Sequence, residues 1–195
     1  SLHNEIAFET DICNHLAAQG WLYSEPGTEG DASGYDTARA LYPADLLTWV
    51  QQTQPQAWEV LAKTTAAAPA MLLDRLRRAL DERGTLEVLR VGIDLLGLKS
   101  PLRLAQFKPA LAMNPDLQAR YAANRLRVVR QCRTNHDDII DLVLFLNGIP
   151  VATAQYARAL SPRRRPPVAG GLPDGLLQQL PRALRLAGLA QGQLP

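Results

Sequence analysis

The feature that most constrains the fold is an apolar run near residue 140 that a turn signal interrupts. Ile139–Leu146 is apolar at all but one position, Asn147-Gly148 follows, and Ile149–Ala154 is again mostly apolar. Two such segments on either side of Asn-Gly are typical of a β-hairpin. Because both strands are apolar on both faces, we expect a sheet that helices cover on each side.

Helices are predicted before and between the strands. Apolar residues recur at helical spacing in four segments, at residues 4–19, 43–63, 70–83 and 114–124. Pro55 is expected to divide the second segment, because proline breaks the backbone hydrogen bonding of a helix interior. Strand composition is found at residues 85–93, 102–107 and 126–131. Helices alternating with short strands predict an α/β or α+β sandwich.

Composition changes sharply after residue 160. Residues 161–195 hold six of the fourteen prolines and five glycines, a composition that disfavours a packed core. We therefore predict a domain at residues 1–157, incomplete at its C-terminal side, and an irregular tail at residues 158–195 that is disordered or weakly helical.

Charge and cysteine content exclude several classes of protein. Of the charged residues behind the net charge of +2, five arginines and one aspartate lie beyond residue 160, which leaves 16 basic and 18 acidic residues before it. Overall charge therefore does not indicate nucleic-acid binding. No apolar run is long enough to cross a membrane, and the first residues lack the basic start of a secretory signal. Two cysteines support neither a disulfide framework nor a zinc site. We expect a cytoplasmic protein.

The predicted first helix carries acidic residues in an unusual place. At about 100° per residue, its apolar positions share one arc: Phe8, Ile12, Cys13 and Leu16. Glu5 and Glu9 fall inside this arc. Either both glutamates lie at the rim of the apolar face, or a carboxylate is directed at the element against which the helix packs.

Asp141 is the acidic residue within the apolar strand. An unpaired carboxylate buried there would cost several kcal/mol. Asp141 therefore needs a metal ion, a cationic side chain or a position at the exposed end of the strand. Composition alone leaves these alternatives open.

Six stretches spread over residues 1–154 carry a family resemblance through their order and spacing. They are residues 5–9 with Gly20-Trp21, residues 46–51 with Gln54-Pro55, and residues 83–90, 106–109, 120–131 and 140–154. Together they resemble the N-terminal nuclease domain of the R (restriction and translocation) subunit of type I restriction enzymes.

The resemblance implies a PD-(D/E)XK restriction-endonuclease-like fold, with a mixed central sheet flanked by helices. In that family an Asp on the first strand of the hairpin and a Glu-x-Lys on the second assemble around Mg²⁺. Asp141 matches the Asp, and Glu9 matches an additional acid on the first helix, so both are implied metal ligands. Carboxylates hold a hard cation through oxygen, and the cation polarises the phosphate and activates water.

The chain departs from the family pattern on the second strand. The family's spacing assigns the Glu to Gln155 and the Lys to Ala157. Glutamine keeps a carbonyl oxygen but has no negative charge, and alanine offers no donor. We therefore expect weak Mg²⁺ binding and absent or very slow DNA cleavage, in a copy of a type I site-specific deoxyribonuclease domain. The alternatives are a non-catalytic module that docks on DNA or on other subunits, and a frameshifted fragment without function.

The resemblance also implies partners. These are double-stranded DNA and the methyltransferase and specificity subunits of a type I restriction complex. Candidate DNA contacts are Arg120, Arg125, Arg127 and Arg130, for which a solvated surface is the alternative. The family's ATP-driven motor domains have no counterpart here, because no Gly-rich loop with Gly-Lys-Ser/Thr occurs, and no ATP site is expected.

The length of the hairpin loop bears on whether Asp141 meets Gln155. An undisturbed two-residue loop would pair Asp141 with Ala154, whereas a three-residue loop would pair it with Gln155. We predict a loop at residues 147–149 with a bulge, because the family's acids must converge and Pro150 is unsuited to a regular ladder.

Overall fold

The computed structural model describes residues 2–23, 34–110, 113–133 and 139–154. Its helices are α1 (Leu2–Ala18), α2 (Pro43–Thr53), α3 (Pro55–Thr64), α4 (Ala68–Arg83), α5 (Thr85–Val91) and α6 (Pro115–Ala122). Its strands are β1 (Leu22–Tyr23), β2 (Leu126–Arg133), β3 (Ile139–Leu146) and β4 (Ile149–Ala154). The predicted tail and the positions of Gln155 and Ala157 lie outside the described residues.

The four strands form one mixed sheet in the order β1-β2-β3-β4. β1 is parallel to β2, while β2 with β3 and β3 with β4 are antiparallel. The coarse prediction of a mixed α/β fold that contains a β-hairpin is therefore confirmed. None of the helices in the described ranges is long and apolar enough to cross a membrane.

Helix boundaries follow local sequence signals. Pro43 and Pro55 lie in the first turns of α2 and α3, where proline's missing N–H is tolerated. Pro55 divides the two helices as predicted. At the start of α6 the Asn114 side chain accepts hydrogen bonds from the N–H groups of Asp116 and Leu117, which is the preferred N-cap arrangement.

Two predicted strands are wrong. Residues 85–91 form helix α5, which lies between Gly84 and Gly92, both at positive φ. Its Val88 and Leu89 are buried in the core, so a short apolar run that suits either structure is helical because of what it packs against. At 102–107 the only ladder pairing is a single bridge, in which Leu102 and Ile93 exchange two backbone hydrogen bonds.

Alternate residues of β3 face two different apolar clusters. Leu142, Leu144 and Leu146 join the main core with α1, α2, α3, α4 and α5. Val143 and Phe145 face a smaller cluster on the other side of the sheet. In the described ranges this second face is packed by Tyr35 and Tyr42, whose rings meet Phe145 edge-on at 5.9 and 6.3 Å between centroids. Helices are expected on both faces of the sheet, but in the described part of the chain they pack on one face.

The hairpin loop has two residues, so the predicted three-residue loop is wrong. Leu146 pairs with Ile149, and Asn147 and Gly148 both have positive φ, as a type I′ turn requires. The predicted bulge is present but lies further along β4, between the pairs made by Phe145 and Leu144. It shifts the register by one residue, so that Leu142 lies opposite Ala154.

The loop before α2 is held by an ion pair that predicts a pH dependence. Asp36 accepts hydrogen bonds from the Arg39 backbone and guanidinium. Burial alone would raise the pKa of Asp36, but these bonds outweigh burial and lower it. Because the folded pKa is below the unfolded one, the stability from Asp36 is present above about pH 4 and is lost as the pH falls below it.

We therefore expect Asp36→Asn to lower the free energy of unfolding at pH 7 by at most about 1 kcal/mol. The difference from the wild type should shrink towards pH 3. Thermal melts from pH 3 to 7 measure this, with Asp94→Asn, which changes an exposed acid outside this ion pair, as the control. A difference that stays constant over this range would contradict the assignment.

Candidate acid-pair site

Glu9 and Asp141 are brought together by one amide. The Gln131 Nε2 atom donates to Glu9 Oε2 at 3.1 Å and Oε1 at 3.3 Å, and to Asp141 Oδ1 at 3.4 Å. The three residues come from α1, β2 and β3. Two carboxylates that are 132 positions apart in the sequence thus share one hydrogen-bond donor.

Gln131 reaches this position through a break in the alternation of β2. Val129 and Cys132 both face the small cluster, although residues three apart on a regular strand face opposite sides. Gln131 between them has a φ of 53°, which is uncommon for a residue other than glycine. Its side chain is thereby directed to the side of the sheet where α1 packs.

Burial and charge distinguish the two acids. Glu9 is 4% exposed, which favours the interpretation that its carboxylate is directed inward. Asp141 is half-buried. The Arg130 Nε atom lies 3.8 Å from Glu9 Oε2. The Nη1 atom of the same guanidinium donates to Thr10 Oγ1 at 2.5 Å. A guanidinium at this distance offsets part of the cost of burying the Glu9 carboxylate.

The acid pair supplies part of a divalent-cation site. Mg²⁺ is commonly held by one or two carboxylates together with waters and substrate phosphates, and Glu9 and Asp141 provide two. Rotating the Gln131 amide would present its oxygen in place of its N–H₂ group. Within the described ranges no group of three or more His, Cys, Asp or Glu residues has the geometry to hold a metal ion.

The other two predicted catalytic positions lie outside the described residues, so their distance from Asp141 stays a prediction. The bulge in β4 gives the register that a meeting of Asp141 with residue 155 requires. Without it, Leu142 would lie opposite Thr153 instead of Ala154.

Two of the four candidate DNA-contact arginines surround a buried aspartate. Asp45 in α2 is 1% exposed and accepts from Arg125 Nε at 3.0 Å and from Arg127 Nε at 2.5 Å. The Arg127 guanidinium also lies 4.1 Å from the centre of the Tyr42 ring. This geometry gives both arginines a structural role, whatever else they contact.

Sequence reasoning missed Asp45, although a signal was present. Asp45 precedes Trp49 by four residues, so both lie on the same face of α2, and Trp49 is buried. The same logic that singled out Glu9 on α1 applies to Asp45. Of the remaining candidates, Arg130 contacts α1 through Glu9 and Thr10, and Arg120 lines a surface groove.

A second missed feature is a buried amide network at the hairpin turn. Asn147 is fully buried, accepts from the Arg125 N–H at 2.7 Å and donates to Leu104 O and Asn124 Oδ1, both at 2.9 Å. Asn124 continues the network to the Gln106 carbonyl at 2.7 Å. The network fixes the turn against the segments before α6 and β2.

No family model, curated protein or solved structure matches this chain. The case for a function therefore rests on the side chains that the fold brings together.

Proposed function

We propose that Glu9 and Asp141 are the acidic part of a Mg²⁺ site in a nuclease-like domain of the PD-(D/E)XK type, and that DNA cleavage by this chain is absent or very slow. The observation that carries the proposal is the shared Gln131 amide, 3.1 to 3.4 Å from one oxygen of each carboxylate. Side chains this close to one atom are close enough to share a cation.

Each residue has a defined part in this proposal. Glu9 and Asp141 would hold the cation through oxygen, and Gln131 would turn its amide oxygen towards it or move aside. When bound, Mg²⁺ supplies charge that polarises a phosphate and lowers the pKa of water. Because Glu9 is only 4% exposed, little water would compete for the cation on its side of the site.

Three features support slow or absent cleavage. Gln155 lacks the charge of a third acid, and Ala157 lacks an ammonium group to orient water or offset developing charge. Arg130, 3.8 Å from Glu9, competes electrostatically with a cation for that carboxylate. Together they predict a site that binds Mg²⁺ weakly and has no activated nucleophile.

The substrate class proposed is double-stranded DNA, with the methyltransferase and specificity subunits of a type I restriction complex as protein partners and the cytoplasm as location. The resemblance of residues 1–154 to the R-subunit nuclease domain supports this choice. The mixed sheet with helices packed on it is compatible with the proposed fold.

A plasmid-nicking assay with Mg²⁺ tests the proposal. We expect no nicking by the wild type and a rate at least about 100-fold higher for the double variant Gln155→Glu with Ala157→Lys. Adding Asp141→Asn to that variant should remove the gained activity. Glu82→Gln, an exposed acid on α4, is the matched control and should leave it unchanged.

The other outcomes of the nicking assay each contradict one part of the proposal. Efficient Mg²⁺-dependent nicking by the wild type would refute the loss of activity. Gained nicking that survives Asp141→Asn would refute the acid pair. Salt-sensitive DNA binding without nicking in any variant would favour the alternative, a non-catalytic docking module, and overturn the nuclease assignment.

A further inference from the structure

A groove of about 640 Å³ lies where α2 ends and α3 begins. It is lined by residues of this junction, by the end of α5, by the segment before Leu104 and by Arg120 of α6. This volume is within the range of small-molecule sites, about 300–1,000 Å³. Neither Glu9 nor Asp141 lines it, so the groove is separate from the acid pair.

The charged side chains that line the groove are all positive. Arg103 and Arg120 line it, and among the described residues none of those lining it is acidic. Across the described ranges neither arginine is a member of any of the seven ion pairs, which involve Arg39, Lys63, Arg77, Arg125, Arg127 and Arg130. The remaining polar lining includes the Ser100 hydroxyl.

The wall that carries Arg103 is fixed through its backbone. The Gln54 side chain donates to the Arg103 carbonyl at 2.8 Å and accepts from the Arg103 N–H at 3.0 Å. These two bonds tie the segment to the α2–α3 junction without using the guanidinium, whose one hydrogen bond in the described ranges, to the Val91 carbonyl, is long at 3.5 Å. The backbone of Arg103 is therefore fixed independently of its guanidinium, so a substitution of this side chain should leave the wall of the groove in place.

We propose that this groove binds phosphate groups, with Arg103 and Arg120 as the charged donors and Ser100 as a neutral one. Guanidinium groups bind phosphate through paired, charge-assisted hydrogen bonds. Two of them on separate segments, with no lining carboxylate, suit a ligand that carries more than one anionic oxygen. A phosphodiester backbone and a free polyphosphate share this chemistry. The inference stands whether or not the acid pair binds Mg²⁺.

Isothermal titration calorimetry of the full chain with pyrophosphate at low salt tests the site. We expect Arg103→Gln and Arg120→Gln each to weaken binding about tenfold, since charge-assisted hydrogen bonds are the strong ones. The double variant should lose detectable binding. Arg78→Gln, which removes an exposed α4 arginine outside the groove, should bind like the wild type.

A second arm separates the two sources of phosphate. If a short DNA duplex binds the wild type in a salt-sensitive way and loses affinity in the double variant, the groove contacts the phosphodiester backbone. If only pyrophosphate loses affinity in the double variant, the groove binds a free polyphosphate. Unchanged binding of both ligands by the double variant, with its thermal melt intact, overturns the site. A glutamate-rich peptide that binds more tightly than pyrophosphate overturns the choice of phosphate. If the double variant melts early, Arg103→Lys with Arg120→Lys replaces it and should keep partial binding.

Discussion

Replacing Gly148 with alanine is expected to destabilise the chain by about 3 kcal/mol or more, because overpacking and a disfavoured backbone act together. A Cβ atom at this position would lie 2.2 Å from the Tyr42 carbonyl oxygen and 3.1 Å from the Leu46 nitrogen. Gly148 also has a φ of 76°. Its carbonyl accepts from the Tyr42 N–H at 2.8 Å, so the turn and the start of α2 cannot separate without losing this bond.

Gly84 provides a matched control for this prediction. Its φ of 78° is nearly the same, but an added Cβ would meet nothing within 4 Å. Gly84→Ala should therefore cost only the strain of a side chain at φ 78° and ψ 161°, about 1–3 kcal/mol, without the overpacking that is added at Gly148. Urea unfolding of both variants measures the difference. Equal losses of stability would show that the contact between the turn and α2 contributes little.

The second large effect is expected at Asp45. Asp45→Ala removes the partner of two guanidinium groups, of which the Arg127 side chain is only 11% exposed. Breaking a buried ion pair on one side leaves an uncompensated charge and costs about 3–5 kcal/mol. We expect a loss in this range at pH 7, measured by chemical denaturation.

An exposed ion pair gives the comparison. Asp74 pairs with Arg39 at 2.7 Å, but its side chain is 53% exposed, so Asp74→Ala should cost less than about 1 kcal/mol. If Asp45→Ala costs no more than Asp74→Ala, the cluster around Asp45 is not a stabilising contact, and the structural role assigned to Arg125 and Arg127 is wrong.

Several elements could be predicted because their signals are local. The Asn-Gly turn needs two residues at positive φ, and Asn147 and Gly148 have them. Pro55 separates α2 from α3 because of its own ring and missing N–H. The helical arc of α1 contained Glu9, which is buried. In each case the physical cause lies within a few residues of the effect.

The errors have the opposite origin. Residues 85–93 are predicted as a strand from a short apolar run, whereas burial of Val88 and Leu89 in the core favours the helix observed at residues 85–91. The three-residue loop is predicted from the register that the acids require, whereas the structure shifts the register through a bulge further along β4. Both depend on neighbours that local periodicity does not identify.

The sequence by itself determined where α2, α3 and α6 begin, where the hairpin turns, and that Glu9 and Asp141 are acids in apolar surroundings. Only the tertiary structure decided that Gln131 joins these acids, that Asp45 takes up Arg125 and Arg127, and that Arg103 and Arg120 line one groove. The reason is physical: caps, turns and periodicity act over a few residues, whereas these contacts link side chains as far as 122 positions apart. Their geometry exists only after the helices have packed on the sheet.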